Sequence, residues 1–180
     1  MPGLSAFTQT LMRMPPGAST GEAAMALASA GVPVFPVAVN GKQPLTRHGF
    51  HDATTNLAQI RHWWASTPGA NIGMPTGARS GVVVDVDVHG PANGYVALDR
   101  SDRAGLLTGW EALIQTPSDG VHAYYPATPG TEQRSWQAAR AGIDFRGDGG
   151  YIIAPPSSRV IDGQRCVYRL EQVTRDQPQL

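Results

Sequence analysis

The chain has 180 residues, of which 41% are hydrophobic and 16% are charged, a balance typical of a globular protein and not of a disordered one. Fourteen basic residues match fourteen acidic residues, and this zero formal charge argues against avid, nonspecific binding to nucleic acid, which needs clustered Lys and Arg. The single cysteine, Cys166, excludes an internal disulfide framework and a structural multi-cysteine zinc site, and it suits a cytoplasmic protein.

The N-terminal segment, residues 1–20, contains Pro, Gly and Ser without a clear period, so we expect a flexible lead-in. It has one basic residue, Arg13, and no apolar core of the kind found in secretory signals. No apolar run in the chain reaches the roughly 20 residues that span a bilayer, so we expect no membrane partner.

Two helices and an edge strand are predicted in the first third of the chain. Residues 21–30 are rich in helix formers, with Thr20 as a possible cap. Residues 32–39 read as a buried strand that Pro33 and Pro36 push to the edge of a sheet. A second helix is expected at residues 56–66, with Asn56 as its N-cap.

The second half is richer in strands, and the class is therefore α+β. Part of 93–109 is predicted helical, and 131–141 is polar and irregular. Residues 146–150 read as a glycine-dense hairpin connection between two of the predicted strands. The predicted strands are residues 71–74, 82–88, 112–116, 122–125, 143–145, 151–154 and 166–170.

An acidic pair lies on the most strand-like segment, VVVDVDV at 82–88. Side chains of a strand alternate between its faces, so Asp85 and Asp87 point the same way, and we expect Val84, Val86 and Val88 to point into the core. Adjacent carboxylates repel unless a cation or a proton lies between them, and oxygen ligands suit Mg²⁺ or Mn²⁺. The alternative is a strand end with solvated acids.

Asp144 is the third candidate, since apolar residues flank it on another predicted strand. Three carboxylates from two strands could hold two metal ions roughly 4 Å apart, the geometry of in-line phosphoryl displacement. We expect the third acid to lie within about 10 Å of the first two. The alternative for Asp144 is a salt bridge to Arg146 or to another nearby base.

His122 opens a strand after a tight loop and is a candidate for contacting a triphosphate, with help from backbone N–H groups of that loop. Its alternative is an ordinary satisfied histidine. Zinc is not expected, because no second His or Cys stands at ligand spacing. Four basic residues in or beside Gly- or Pro-bearing loops could form a phosphate-binding rim, or could simply be solvated: Lys42, Arg79, Arg146 and Arg159.

A series of motifs resembles the bifunctional DNA primase/polymerase N-terminal domain of the archaeo-eukaryotic primase superfamily. The resemblance spans roughly residues 21–170, and the order of the motifs makes it specific. The motifs are GVPVFP (31–36), KQP (42–44), GFHDATT (49–55), WW (63–64), NIG (71–73), TG (76–77), SGVVVDVD (80–87), TPSDGVH (116–122), GIDFRG (142–147) and GYIIAPPS (150–157).

The resemblance implies a fold and a site. The fold is an N-terminal α/β module packed on an RRM-like antiparallel catalytic sheet. Asp85, Asp87 and Asp144 are then the catalytic acids and ligands of a two-metal Mg²⁺ or Mn²⁺ site. The residues implied in nucleotide binding are His122, Ser118, Gly120, Arg146 and Lys42.

The resemblance also implies partners and a domain plan. We expect a DNA template and primer, a dNTP or NTP, and a helicase domain in the same full-length protein, in replication of a phage, plasmid or mobile element. The catalytic domain is expected at residues 21–172, and residues 173–180 as a tail that continues into further domains. The helical region and zinc-binding stem that assist primer initiation are not seen in this sequence, so primer extension is expected rather than unaided priming.

Two rival functions remain open on the sequence alone. One is another metal-dependent phosphotransfer enzyme, such as a nuclease or phosphatase, on the same carboxylates. The other is a catalytically silent nucleic-acid-binding module.

Overall fold

In a computed structural model that describes residues 3–88, 93–105, 107–128 and 130–174, the chain combines four α-helices with two antiparallel sheets and a β-ribbon. This confirms the α+β class. The helices are α1 (Ala6–Arg13), α2 (Thr20–Ser29), α3 (Leu57–Ser66) and α4 (Gly94–Arg103). The strands are β1 (Phe35–Val37), β2 (Asn71–Pro75), β3 (Val82–Val86), β4 (Ala112–Gln115), β5 (Val121–Tyr125), β6 (Trp136–Ala138), β7 (Ile143–Arg146), β8 (Tyr151–Ala154), β9 (Ser158–Ile161), β10 (Gln164–Val167) and β11 (Arg169–Val173).

The first sheet has the strand order β1-β2-β8. β1 lies at its edge, as the prolines predicted, but it is only three residues long instead of spanning 32–39. α2 packs against α3 and β2, and α3 contacts β1. Asn56 caps α3 as predicted, accepting the N–H groups of Ala58 and Gln59. α2 is capped by Ser19 and not by Thr20, because Ser19 and Glu22 form a reciprocal capping box.

The second sheet has the order β11-β4-β5-β3-β7-β6, and every pair is antiparallel. β3 is central, with β5 and β7 as its neighbours. The connection from β3 to β4 runs through α4, which contacts β3 and β7. A β-carbon on Gly94 would lie 2.9 Å from Val86 Cγ1, so the start of α4 sits directly on that face of the sheet. The RRM-like description of this sheet stays a prediction.

α1 was not predicted, since residues 1–20 were expected to be a flexible lead-in. Within that segment Phe7 and Leu11 are buried, one helical turn apart, and the Phe7 ring lies 4.6 Å from the ring of Tyr124 on β5. Glu111 reaches the start of this helix, where its carboxylate accepts the Ser5 N–H and the Thr8 hydroxyl. Burying each of these apolar side chains contributes roughly 1.5–3 kcal/mol, so α1 is part of the packed core.

The predicted hairpin between residues 143–145 and 151–154 is wrong. β7 pairs with β3 and β6 in the second sheet, whereas β8 pairs with β2 in the first. The glycine-dense residues 146–150 therefore carry the chain from one sheet to the other. A short edge strand, β6, lies within the region predicted as irregular, and the last strand predicted at 166–170 is divided between β10 and β11.

A single apolar cluster joins the two sheets, with members that include Ile72 and Met74 on β2 and Val83, Ile114 and Tyr124 on the second sheet. None of the helices in the described ranges has the length and apolar character needed to cross a membrane. Of the predicted C-terminal tail, residues 175–180 lie outside the described residues.

Candidate active site

Asp85 and Asp144 lie directly opposite each other on β3 and β7. Residues paired in this way have β-carbons about 4.5–5.5 Å apart, well inside the 10 Å limit expected for a shared metal site. Each side chain keeps 23% of its surface exposed. Two carboxylates at this separation destabilise each other unless a positive charge lies between them.

Arg146 supplies that positive charge. It follows Asp144 by two residues on β7 and so shares its face of the sheet. Its Nη2 lies 2.8 Å from Asp144 Oδ2 and 3.7 Å from Asp85 Oδ2. Gln137 on β6 also donates to Asp144 Oδ2, at 3.0 Å. The salt bridge named as the alternative for Asp144 is therefore present, and the guanidinium contacts both of the carboxylates that were expected to share a metal ion.

His122 is the partner of Asp85 on the other side, on β5. Its Nε2 lies 3.5 Å from Asp85 Oδ1, and only 6% of the residue is exposed. Burial lowers the pKa of the imidazole below its ordinary value of 6.5, although the Asp85 carboxylate opposes this shift. The buried Nδ1 has no hydrogen-bond partner among the described residues. Burial thus disfavours the charged imidazolium form of His122.

A cleft of about 250 Å³ lies between the two sheets and contains much of this chemistry. Lys42 enters from the loop after β1, and the Tyr151 hydroxyl donates to its carbonyl oxygen at 2.9 Å. Two cations, one carboxylate and the His122 imidazole line the cleft, so the cations outnumber the acids there and favour an anionic ligand. The lining residues are Lys42, Phe50, Asp85, His122, Arg146, Gly149, Gly150, Tyr151, Ile152, Ile153 and Tyr168.

Asp85 lies on the side of β3 that faces the main core, whereas the expectation put the main core on the opposite side, under Val84, Val86 and Val88. Val83 shares the side of Asp85 and is fully buried in the main core. On the opposite side Val84 is only half-buried, whereas Val86 is fully buried, as expected, but outside the main apolar cluster. Both sides of β3 are covered, one by the first sheet and α1, the other in part by α4. Asp85 therefore emerges on the core side, where that packing opens into the cleft, whereas Asp144 is not among the residues that line the cleft.

Asp87 lies just beyond the end of β3 and is exposed. Its N–H donates to the Gly142 carbonyl, which continues the β3–β7 register by one step. Asp87 thus follows Asp85 by two positions at the end of the central strand, and like Asp144 it is not among the residues that line the cleft.

Ser118 and Gly120 lie in the loop before β5 and also stay outside the cleft lining. A β-carbon on Gly120 would come within 2.4 Å of the Val86 carbonyl oxygen, so close packing against β3 already requires glycine there. Arg79 lines a different groove, beside Ser80 and Glu111. Arg159 on β9 is also absent from the cleft lining, although its charge acts on the phenol of Tyr168. Of the four predicted cations, Lys42 and Arg146 line the cleft.

Tyr168 and Tyr151 line the cleft, and sequence reasoning missed both. The Tyr168 ring lies 5.8 Å from the His122 ring, and burial raises the pKa of its phenol to about 12. Tyr168 lies between the last two strands and has no sequence signal of its own. Tyr151 could have been suspected from the motif GYIIAPPS, but its position opposite β3 depends on the exchange between sheets after β7.

No group of three or more His, Cys, Asp or Glu side chains arranged to hold a metal is found within the described residues. The donor chemistry nevertheless fits a divalent cation at Asp85 and Asp144, because oxygen ligands are opposed there and a guanidinium already serves as their counter-ion.

A family model described as bifunctional DNA primase/polymerase, N-terminal, matches residues 24–179 of the chain. A comparison with curated proteins found no match.

Proposed function

Because the chain belongs to the bifunctional DNA primase/polymerase N-terminal family, we propose that it is a metal-dependent nucleotidyltransferase core that joins a dNTP or NTP to a primer 3′-hydroxyl on a DNA template. Replication of a phage, plasmid or mobile element is the proposed setting, with a helicase domain as the proposed partner. The observation that carries the proposal is the pairing of Asp85 with Asp144 across β3 and β7, beside an anion-favouring cleft.

The proposed metal ligands are Asp85, Asp87 and Asp144. Mg²⁺ or Mn²⁺ bound there would supply Lewis-acid activation of the primer hydroxyl and neutralise charge on the triphosphate. For this to happen Arg146 must release the two carboxylates that it now contacts. Its guanidinium would then be free to turn toward phosphate oxygens, which it can bind through two parallel hydrogen bonds.

The other cleft residues have matching roles in this proposal. Lys42, on the opposite wall, contributes a mobile positive charge to the triphosphate. His122, whose side chain lines the cleft, contacts the phosphates of the incoming nucleotide in this proposal. Because the imidazole is buried, that contact would be made away from bulk water, where it is electrostatically stronger.

The test is a labelled primer annealed to a longer template, incubated with dNTPs or NTPs and with Mg²⁺ or Mn²⁺. We expect the primer to lengthen in a metal-dependent and template-dependent way. Shortening of the primer would instead support the nuclease alternative. Metal-independent binding to DNA with no turnover under any condition would support the silent module. A parallel reaction on an unprimed template measures whether this core also starts primers.

A further inference from the structure

An exposed aromatic pair lies at the edge of the second sheet, outside the candidate active site. Trp136 on β6 is the cross-strand partner of Phe145 on β7. Their ring centroids are 5.7 Å apart and their planes differ by only 14°, so the rings are stacked. Trp136 nevertheless keeps 53% of its surface exposed, which is unusual for the largest apolar side chain in proteins.

The pair faces away from the cleft. The next residue on β6, Gln137, donates to Asp144 on the cleft side, so alternation puts Trp136 on the reverse side of the sheet. Phe145 likewise follows Asp144 directly on β7. The strand pair that presents a proposed metal ligand on one side therefore presents an aromatic surface on the other.

Cations accompany the exposed indole. Arg134 and Arg140 lie on either side of Trp136 in the chain, and both are exposed. The nearest acid in sequence is Glu132, which is 4.0 Å from Arg134 and 75% exposed, so this ion pair is weak. The carboxylate of Asp148, whose backbone bridges that of Arg134, is occupied by the N–H groups of Ala78 and Gln133. Two exposed arginines, two and four positions from the stacked tryptophan in the chain, suit a ligand that has both flat aromatic rings and negative charge.

We propose that the Trp136–Phe145 pair is a stacking platform for single-stranded DNA, binding bases of the unpaired template while Arg134 and Arg140 contact its phosphates. Base stacking on aromatic side chains combined with nearby cations is the usual means of binding single strands without sequence preference. The inference rests on the proposed function only for the identity of its partner. It also offers a weakly charged protein a way to hold template without a large basic surface.

The test measures the affinity of fluorescently labelled oligo-dT for the intact chain by anisotropy, without nucleotide or divalent metal. We expect Trp136→Ala to weaken binding about tenfold, the range found for removal of one stacking residue, and Trp136→Phe to retain most of it. Val160→Ala is the matched control, because Val160 is a similarly exposed apolar residue on β9, in a different sheet. Circular dichroism and thermal unfolding establish that each variant is folded.

An oligonucleotide of abasic sugar-phosphates separates stacking from charge. The platform predicts that this ligand binds the wild type more weakly than oligo-dT does and that Trp136→Ala no longer changes its affinity. Equal oligo-dT affinities of folded wild type and Trp136→Ala would overturn the inference. The inference would also be overturned if Trp136→Ala weakened binding of the abasic ligand as much as binding of oligo-dT. A substitution that changes only self-association, measured by sedimentation, would overturn it too.

The two proposals can fail separately. If the wild type extends primers but Trp136→Ala binds oligo-dT as tightly as the wild type, the platform is contradicted and the nucleotidyltransferase proposal stands. Trp136-dependent binding of single strands with no incorporation would do the reverse.

Discussion

Asp85 and Asp144 are cross-strand partners at the centre of a six-stranded sheet, 59 positions apart in the chain. The opposed carboxylates are held together by Arg146, whose Nη2 contacts both. Removing either carboxyl charge should therefore disable metal binding while relieving repulsion in the metal-free protein. The stability of the folded protein should change little, whereas nucleotidyl transfer should be lost.

We expect Asp85→Asn and Asp144→Asn each to reduce primer extension by at least about a hundredfold, in line with the loss of a metal ligand or its orientation. Thermal unfolding without metal should change little. Asp102→Asn, which alters an exposed acid near the end of α4, is the control and should leave extension intact. Extension at the wild-type rate in either site variant would contradict the assignment.

Arg146→Met should raise the affinity for Mn²⁺, because the guanidinium competes with a metal for the two carboxylates. A hydrogen bond to a charged group contributes about 1.5 kcal/mol, which corresponds to about a tenfold change in the dissociation constant. Calorimetric titration with Mn²⁺ measures this directly. Primer extension should fall at the same time, because the triphosphate loses the guanidinium that is proposed to bind it. Arg61→Met, on the exposed side of α3, serves as the control. Unchanged or weaker Mn²⁺ binding in Arg146→Met would show that the arginine does not compete.

Glu111→Ala should lower the free energy of unfolding by about 1–3 kcal/mol, the cost of leaving buried polar groups without a partner. Glu111 is 2% exposed, and its carboxylate holds both the Ser5 N–H and the Thr8 hydroxyl at the start of α1. Urea unfolding measures the change. Glu132→Ala, an exposed acid, should be nearly neutral. If the two substitutions cost the same, α1 is not anchored through this carboxylate.

Asp148 should make stability depend on pH in acid. Hydrogen bonds from the Gln133 and Ala78 backbone N–H groups hold the pKa of its carboxyl below the ordinary value of 3.8. A lowered pKa in the folded state gives stability that is fully present above the unfolded pKa and is lost as pH falls through the folded one. The stability difference between wild type and Asp148→Asn should thus be constant near neutrality and shrink below about pH 4. Urea unfolding at a series of pH values checks this, with Asp102→Asn as the reference. A difference that grows as pH falls would contradict it.

Local signals predicted several elements well. Asn56 marks the start of α3, and the run VVVDVDV marks β3, because capping and β-branched patterning act over a few residues. α1 was not predicted because Pro and Gly follow it closely, although Phe7 and Leu11 have helical spacing. β6 was not predicted because a three-residue edge strand with exposed side chains has no hydrophobic period.

The sequence suggests a list of candidate site residues, but it does not give their geometry. Nothing in the sequence specifies that Asp85 faces His122 on one strand and Asp144 on the other, because register depends on pairing between distant segments. The contact of Arg146 with both acids follows from that register. The assignment of β7 and β8 to different sheets likewise depends on tertiary packing, which overrides the local appearance of a glycine-rich hairpin.

The route of the chain between the sheets has a consequence for folding. The first sheet takes β1 and β2, the second takes β3 to β7, and the chain then returns to the first with β8 before ending in the second with β11. No single cut divides such an interlaced path into two pieces that are each complete, so a fragment ending after β7 would lack one wall of the cleft. The two sheets should accordingly unfold together in one cooperative transition. The distance between the acids of β3 and the Lys42 side of the cleft should then be kept until the whole domain unfolds.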